Sequence, residues 1–123
     1  MPKILIVEDD PDLSLVAKKR LTVRGFEVAT AADAYQGVQM AHRERPDLVI
    51  LDLMLPAGGG LTFLKNLRVS EPLRATPILV LSASRDQAYR QQVLAAGVDG
   101  WMDKPYEIDD LEAKIRELLA GGE

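Results

Sequence analysis

Three short apolar runs in this chain each end in residues that can do chemistry. Ile4-Leu5-Ile6-Val7 ends in Glu8 and Asp9, Leu48-Val49-Ile50-Leu51 ends in Asp52, and Ile78-Leu79-Val80-Leu81 ends in Ser82. A shorter run, Gly100-Trp101-Met102, is followed by Asp103-Lys104-Pro105. Apolar runs of this length read as strands buried on both faces of a sheet. In an open parallel sheet, ligands bind outside the carboxyl ends of the strands, at the point where the strand order reverses. Glu8, Asp9 and Asp52 should therefore converge, with Ser82 and Lys104 beside them. Three carboxylates at one spot repel each other unless a cation neutralises them. Hard oxygen ligands without nearby His or Cys favour Mg²⁺, with Mn²⁺ as the alternative. A divalent metal, a lysine and a hydroxyl around a carboxylate are what phosphoryl transfer to that carboxylate requires. Metal and lysine balance charge on the equatorial oxygens, Ser82 donates a hydrogen bond, and Asp52 attacks.

The elements that must position these groups follow in order. Asp10 before Pro11 reads as a helix cap rather than a metal ligand. Leu13, Val16, Ala17 and Leu21 then recur at helical spacing until Gly25, which predicts a core-facing helix. Phe26-Glu27-Val28-Ala29-Thr30 predicts a strand nearer the sheet edge. Asp33-Ala34-Tyr35-Gln36 has the form of a capping box for a helix running towards Arg45. Pro56 and Gly58-Gly59-Gly60 break the chain after Asp52. Leu61, Leu64 and Leu67 mark a third helix, and Ser84-Arg85-Asp86-Gln87 a second capping box. The helix after it, with Tyr89-Arg90-Gln91-Gln92, is the least core-like and should stop at Gly97. Ile108, Leu111, Ile115 and Leu118 carry the last helix.

Five strand–helix pairs predict an α/β fold, a doubly wound, flavodoxin-like (βα)5 domain with a parallel sheet and right-handed crossovers. With the three most apolar strands central, the order 2-1-3-4-5 fits best. The 123 residues suffice for one domain, 1–123, with a sizeable core. A net charge of −4 argues against direct nucleic-acid binding. The lack of cysteine excludes disulfides and suits a reducing cytoplasm. No apolar run reaches membrane-spanning length, and no signal peptide precedes the first strand. Gly121-Gly122-Glu123 reads as a frayed end or the start of a linker.

The chain resembles the receiver domain of two-component response regulators, of the chemotaxis-regulator kind. The residues that carry the resemblance are Ile4–Pro11, Pro46–Pro56, Leu81-Ser82-Ala83, Ala96-Gly97-Val98-Asp99 and Lys104-Pro105, in the family's order and spacing. It implies that Asp52 accepts a phosphoryl group from the phosphohistidine of a sensor histidine kinase or phosphotransfer protein. Such a domain is not an enzyme on a separate substrate; it assists its own phosphorylation and dephosphorylation. The resemblance implies that Asp9 and Asp52 bind Mg²⁺ directly with the Met54 carbonyl, and Glu8 through water. Ser82 and Lys104 would hold the phosphate, Lys104-Pro105 would be cis, and Ser82 and Trp101 would form a switch pair. The changed surface around the fourth helix, fifth strand and fifth helix would then control a downstream effector or a covalently linked output domain. The protein would be cytoplasmic, a monomer or a weak phosphorylation-dependent dimer.

The chain departs from that pattern in two places. Trp101 stands where tyrosine or phenylalanine is usual; it is larger, lacks a phenolic hydroxyl, and is either a switch or an anchor for the last helix. Arg90, Asp99, Asp110, Lys114 and Arg116 could build a charged dimer face, but Gly100 replaces an acid usual there. A phosphatase of the haloacid-dehalogenase kind needs an acid where Met54 stands, and the acids at 8–10 would repel a flavin phosphate. His42, among Arg43, Glu44 and Arg45, reads as a bystander. The alternative is a folded pseudo-receiver, a phosphorylation-independent interaction module, which usually lacks an acid or the lysine; none is lost here.

Overall fold

The computed structural model describes residues 1–53, 59–71, 73–83 and 86–121. Its elements are β1 (Lys3–Val7), α1 (Pro11–Val23), β2 (Glu27–Ala31), α2 (Ala34–Glu44), β3 (Leu48–Asp52), α3 (Gly59–Arg68), β4 (Ile78–Ser82), α4 (Gln87–Ala96), β5 (Gly100–Asp103) and α5 (Ile108–Leu119). All strand pairings are parallel, in the order β2-β1-β3-β4-β5. The expected fold class and strand order are both present.

Alternation along the central strands sends side chains to two cores. Leu5, Val7, Val49, Leu51, Ile78 and Val80 face Phe63, Leu64 and Leu67 of α3 and Val93 of α4. Ile4, Ile6, Leu48, Ile50, Leu79 and Leu81 face Leu21 of α1 and Leu111, Ile115 and Leu118 of α5. Each buried aliphatic side chain contributes about 1.5–3 kcal/mol relative to exposure. A one-residue slip of register would exchange the two faces, so the strand ends are fixed in height. That height sets where Glu8, Asp52 and Ser82 emerge.

Two helix readings need correction. In α1 only Leu21 and Ser14 are buried; Leu13 and Val16 are 52% and 48% exposed. They flank a cleft towards α5, which their helical spacing could not reveal. The cap of α4 is Asp86, whose carboxylate accepts from Tyr89 N at 3.1 Å. Ser84 and Arg85 of the expected capping box lie outside the described residues. The caps of α1 and α2 are as read: Asp10 accepts from Asp12 N and Leu13 N, and Asp33 from Gln36 N. Gly97 closes α4 at a φ of 97°, where a side chain would be strained. Among the described residues no helix is long and apolar enough to cross a membrane.

Gly37 is where α2 meets α3. A Cβ there would fall 2.8 Å from the buried Phe63 ring and 3.3 Å from Val7. Alanine in a helix interior normally stabilises by about 1 kcal/mol over glycine. Overpacking costs about 1–3 kcal/mol and should outweigh that gain. Gly37→Ala is therefore expected to lower the urea midpoint, and Phe63→Leu in the same chain to recover part of the loss. A rise in the midpoint of Gly37→Ala alone would contradict this packing.

Candidate functional site

The site forms where β1, β3, β4 and β5 end. Glu8 N donates to Ala31 O at 2.9 Å, extending the ladder one residue beyond β1 and turning the Glu8 side chain inward. Glu8 is 8% exposed, and its Oε2 accepts from Asp10 N at 3.1 Å. Asp9, next in the chain, is exposed. Asp52, the last residue of β3, is 4% exposed, and Ser82, the last of β4, is 1% exposed. Lys104 N donates to Ser82 O at 2.8 Å, which carries the chain past β5 and back over the site. The Lys104-Pro105 bond is cis, as the resemblance implied.

Lys104 brings these ends together. Its Nζ donates to Asp52 Oδ2 at 2.5 Å and lies 4.0 Å from Glu8 Oε1. Burial acts to lower the Lys104 pKa, but the hydrogen bond to Asp52 and the charges of Asp52 and Glu8 outweigh it, so the ammonium is held above its ordinary value. The Glu8 pKa is raised as well, which here favours the neutral form. Burial first, then the neighbouring Asp52, push its pKa up to about 8, against a smaller opposing effect of the Asp10 N–H. One lysine thus faces two buried carboxyl groups, of which Glu8 keeps its proton near neutrality. Among the described residues no three Asp, Glu or His side chains close around a point as a metal cage would. Met54, expected as a backbone ligand, lies outside the described residues.

Below the Asp52–Lys104 pair a cleft of about 540 Å³ opens between α1 and the start of α5. Leu13, Val16 and Ala17 line one wall, and Tyr106, Ile108 and Leu111 the other.

On the far side of β5, Trp101 has partners that sequence reading missed. Its indole N–H donates to Asp103 Oδ1 at 3.0 Å, and the Arg90 guanidinium stacks 4.6 Å from its ring centre. Arg90 Nη1 is also 3.8 Å from Asp103 Oδ1. The signal was available: residues 101 and 103 of one strand share a face. The charges considered for a dimer face are mostly engaged within the chain. Asp99 pairs with Arg68, Lys114 with Glu117, and Arg116 with Glu112. Gly100 has a physical reason, since a Cβ there would meet Leu118 at 2.9 Å and Leu79 at 3.0 Å. Its bare backbone lets α5 close on the sheet.

A family model described as the response regulator receiver domain matches residues 4–116. The chain is 36% identical over 119 residues to the DNA-binding dual master transcriptional regulator RpaA of Synechocystis, covering 97% of this chain and 49% of that protein. It spans about half the length of the curated relatives it matches. The chemotaxis response regulator CheY4 of Vibrio cholerae superposes with a TM-score of 0.86 at 31% identity, over 95% of this chain and 98% of that one. The receiver domain of sensor histidine kinase PA1611 from Pseudomonas aeruginosa superposes with a TM-score of 0.88 at 31% identity, over 97% and 98%. That domain is described with a magnesium ion coordinated in its active site cleft.

The raised Glu8 pKa fixes a sign for stability. A carboxyl whose folded pKa lies above its unfolded value stabilises the native state while protonated, and that contribution is lost as pH rises through the window. Here the window runs from 4.5 to about 8. In metal-free buffer the unfolding free energy of the wild type should fall across it by on the order of 1–3 kcal/mol, read as a lower urea midpoint. Glu8→Gln should flatten the profile; a wild-type midpoint that rises from about pH 5 to about pH 8 would contradict the burial of Glu8.

Proposed function

The chain belongs to the response regulator receiver domain family, and on that premise we propose that it is a phosphoacceptor whose Asp52 takes a phosphoryl group from the phosphohistidine of a sensor kinase or phosphotransfer protein. The observation that carries this reading is the buried Asp52 carboxylate held at 2.5 Å by Lys104. Contact with an ammonium orients the carboxylate, and a carboxylate oxygen can act as a nucleophile without a general base. In the transfer, an Asp52 oxygen bonds to phosphorus. The P–N bond to the donor breaks, and the imidazole nitrogen keeps the electron pair. Lys104 faces the charge on the transferred group, and the Ser82 hydroxyl lies at the neighbouring strand end to donate to it. Hydrolysis of the acyl phosphate by water resets Asp52. In this reading the chain is no enzyme on a separate substrate but assists its own phosphorylation and dephosphorylation.

The acids fit a small hard cation. Glu8, Asp9 and Asp52 offer oxygen only, and Glu8 is driven to hold a proton by burial beside Asp52, the condition a cation would relieve. Mg²⁺ needs one or two carboxylates, water and phosphate oxygens rather than a closed cage. We assign Mg²⁺, with Mn²⁺ as its substitute, to Asp9, Asp52 and the Met54 carbonyl, with Glu8 acting through water. When bound it would neutralise the carboxylates and the charge developing on the phosphoryl oxygens.

The cytoplasm is the proposed setting, with signal output through a linked domain or a separate effector. The half-length coverage of the curated relatives supports the linked arrangement. The apolar rim of the cleft, Leu13 and Val16, is the proposed seat for the donor protein.

Two experiments test the reading. With acetyl phosphate and Mg²⁺, intact mass should show one added phosphate in the wild type and none in Asp52→Asn. Lys104→Ala should keep the fold but lose the response of partner binding to phosphorylation. Absence of any metal-dependent phosphate on the wild type would leave the pseudo-receiver reading in place instead. Second, Leu13→Asp with Val16→Asp should slow transfer from a phosphorylated histidine-containing protein by about tenfold or more while leaving the acetyl phosphate rate within about twofold. Equal slowing with both donors would remove the cleft rim from the donor's docking site.

A further inference from the structure

We propose that Asp103, Arg90 and Trp101 form a latch that couples the state of Asp52 to the position of α4, with Asp103 as a positioning residue for Lys104. The inference rests on the phosphoryl-acceptor reading of Asp52 and goes beyond it. One carboxylate oxygen, Asp103 Oδ1, accepts from the Trp101 indole at 3.0 Å and lies 3.8 Å from the Arg90 guanidinium. That guanidinium also stacks on the indole at 4.6 Å. Three groups from β5 and α4 are thus closed into a ring. Val93 is the one buried residue of α4, with Tyr89 and Ala96 packed partly buried against the same core. The Arg90 bridge ties the outer face of the helix to β5 in addition to that packing.

The latch sits one peptide unit from the reactive centre. Asp103 pairs in register with Ser82, and Lys104, the next residue, bonds Ser82 O through its backbone and Asp52 through its ammonium. A phosphoryl group on Asp52 carries its oxygens farther from the β3 backbone than Oδ2. The ammonium must move outward to follow them, and it draws residue 103 along. A hydrogen bond weakens steeply once its angle closes, and a cation–π contact fades beyond about 6 Å. The closed latch and modified Asp52 thus compete. By linkage the coupling is reciprocal, so opening the latch by mutation favours the modified state by the same factor. The Asp103 side chain is exposed and that of Arg90 partly so, which keeps that factor modest.

Trp101 is the only tryptophan in the chain, so its fluorescence reads the latch directly. Wild type, Arg90→Ala, Asp103→Ala, Asp103→Asn and the double alanine variant are titrated with beryllofluoride in Mg²⁺, following emission. Arg90→Ala and Asp103→Ala are expected to lower the half-saturating concentration about three- to tenfold, and Asp103→Asn, which keeps an acceptor for the indole, by less. The double variant should gain no more than Asp103→Ala, because both substitutions open one ring. A merely structural loss would weaken beryllofluoride binding, the opposite direction. If an alanine variant fails to fold, Arg90→Gln and Asp103→Asn carry the test. Saturable wild-type binding with unchanged or raised half-saturation in the variants overturns the latch alone. Wild type that never saturates removes the reading of Asp52, and the latch with it.

Discussion

The contact between the Lys104 ammonium and the Asp52 carboxylate is the interaction on which the site depends. It joins the end of β5 to the end of β3 across β4. Two buried carboxyl groups, Asp52 and Glu8, lie near the half-buried Lys104 ammonium, which bonds the first and stands 4.0 Å from the second. Burial raises the cost of an ionised Glu8, because a desolvated charge loses the water that would otherwise stabilise it. Glu8 answers by retaining its proton. A site in this condition is poised to accept further positive charge and a group that shares it.

Everything else in the fold serves to hold those strand ends at one height. The two cores take alternate residues from β1, β3 and β4, so a register error would turn each apolar set to the wrong face. At the opposite end of the sheet Arg68 does the matching work. It donates to Gly97 O, Arg74 O and Thr76 O and pairs with Asp99, which in turn accepts from Ile78 N. The starts of β4 and β5 are thereby tied together, and the ends that carry Ser82 and Lys104 follow from them. Stability at the bottom of the sheet and chemistry at its top are one construction.

Much of this was legible in the residues. The apolar runs named the strands, their relative richness named the order, and the carboxyl-end rule brought Glu8, Asp52, Ser82 and Lys104 together. The departures have physical reasons. Helical spacing shows which residues share a face of α1, but not whether the opposing wall reaches them; α5 stands off, and Leu13 and Val16 remain half exposed. Ser84 and Asp86 both have cap chemistry, and only the local chain path selects Asp86 for α4. Asp9 lies beside Glu8, as the sequence places it, and its carboxylate stays exposed at the rim of the site. The stacking of Arg90 on Trp101 joins two elements, and such long-range partners cannot be read from one helix.

The central claim concerns one oxygen on one residue, and its most direct measurement is chemical trapping of the acyl phosphate. After incubation with a small phosphodonor and Mg²⁺, the protein is reduced with borohydride, which converts an aspartyl phosphate to homoserine, and then mapped by peptide mass spectrometry. The account predicts homoserine at position 52 alone. Homoserine at another aspartate, a stable phosphate ester on Ser82, or no modified peptide at all would contradict it.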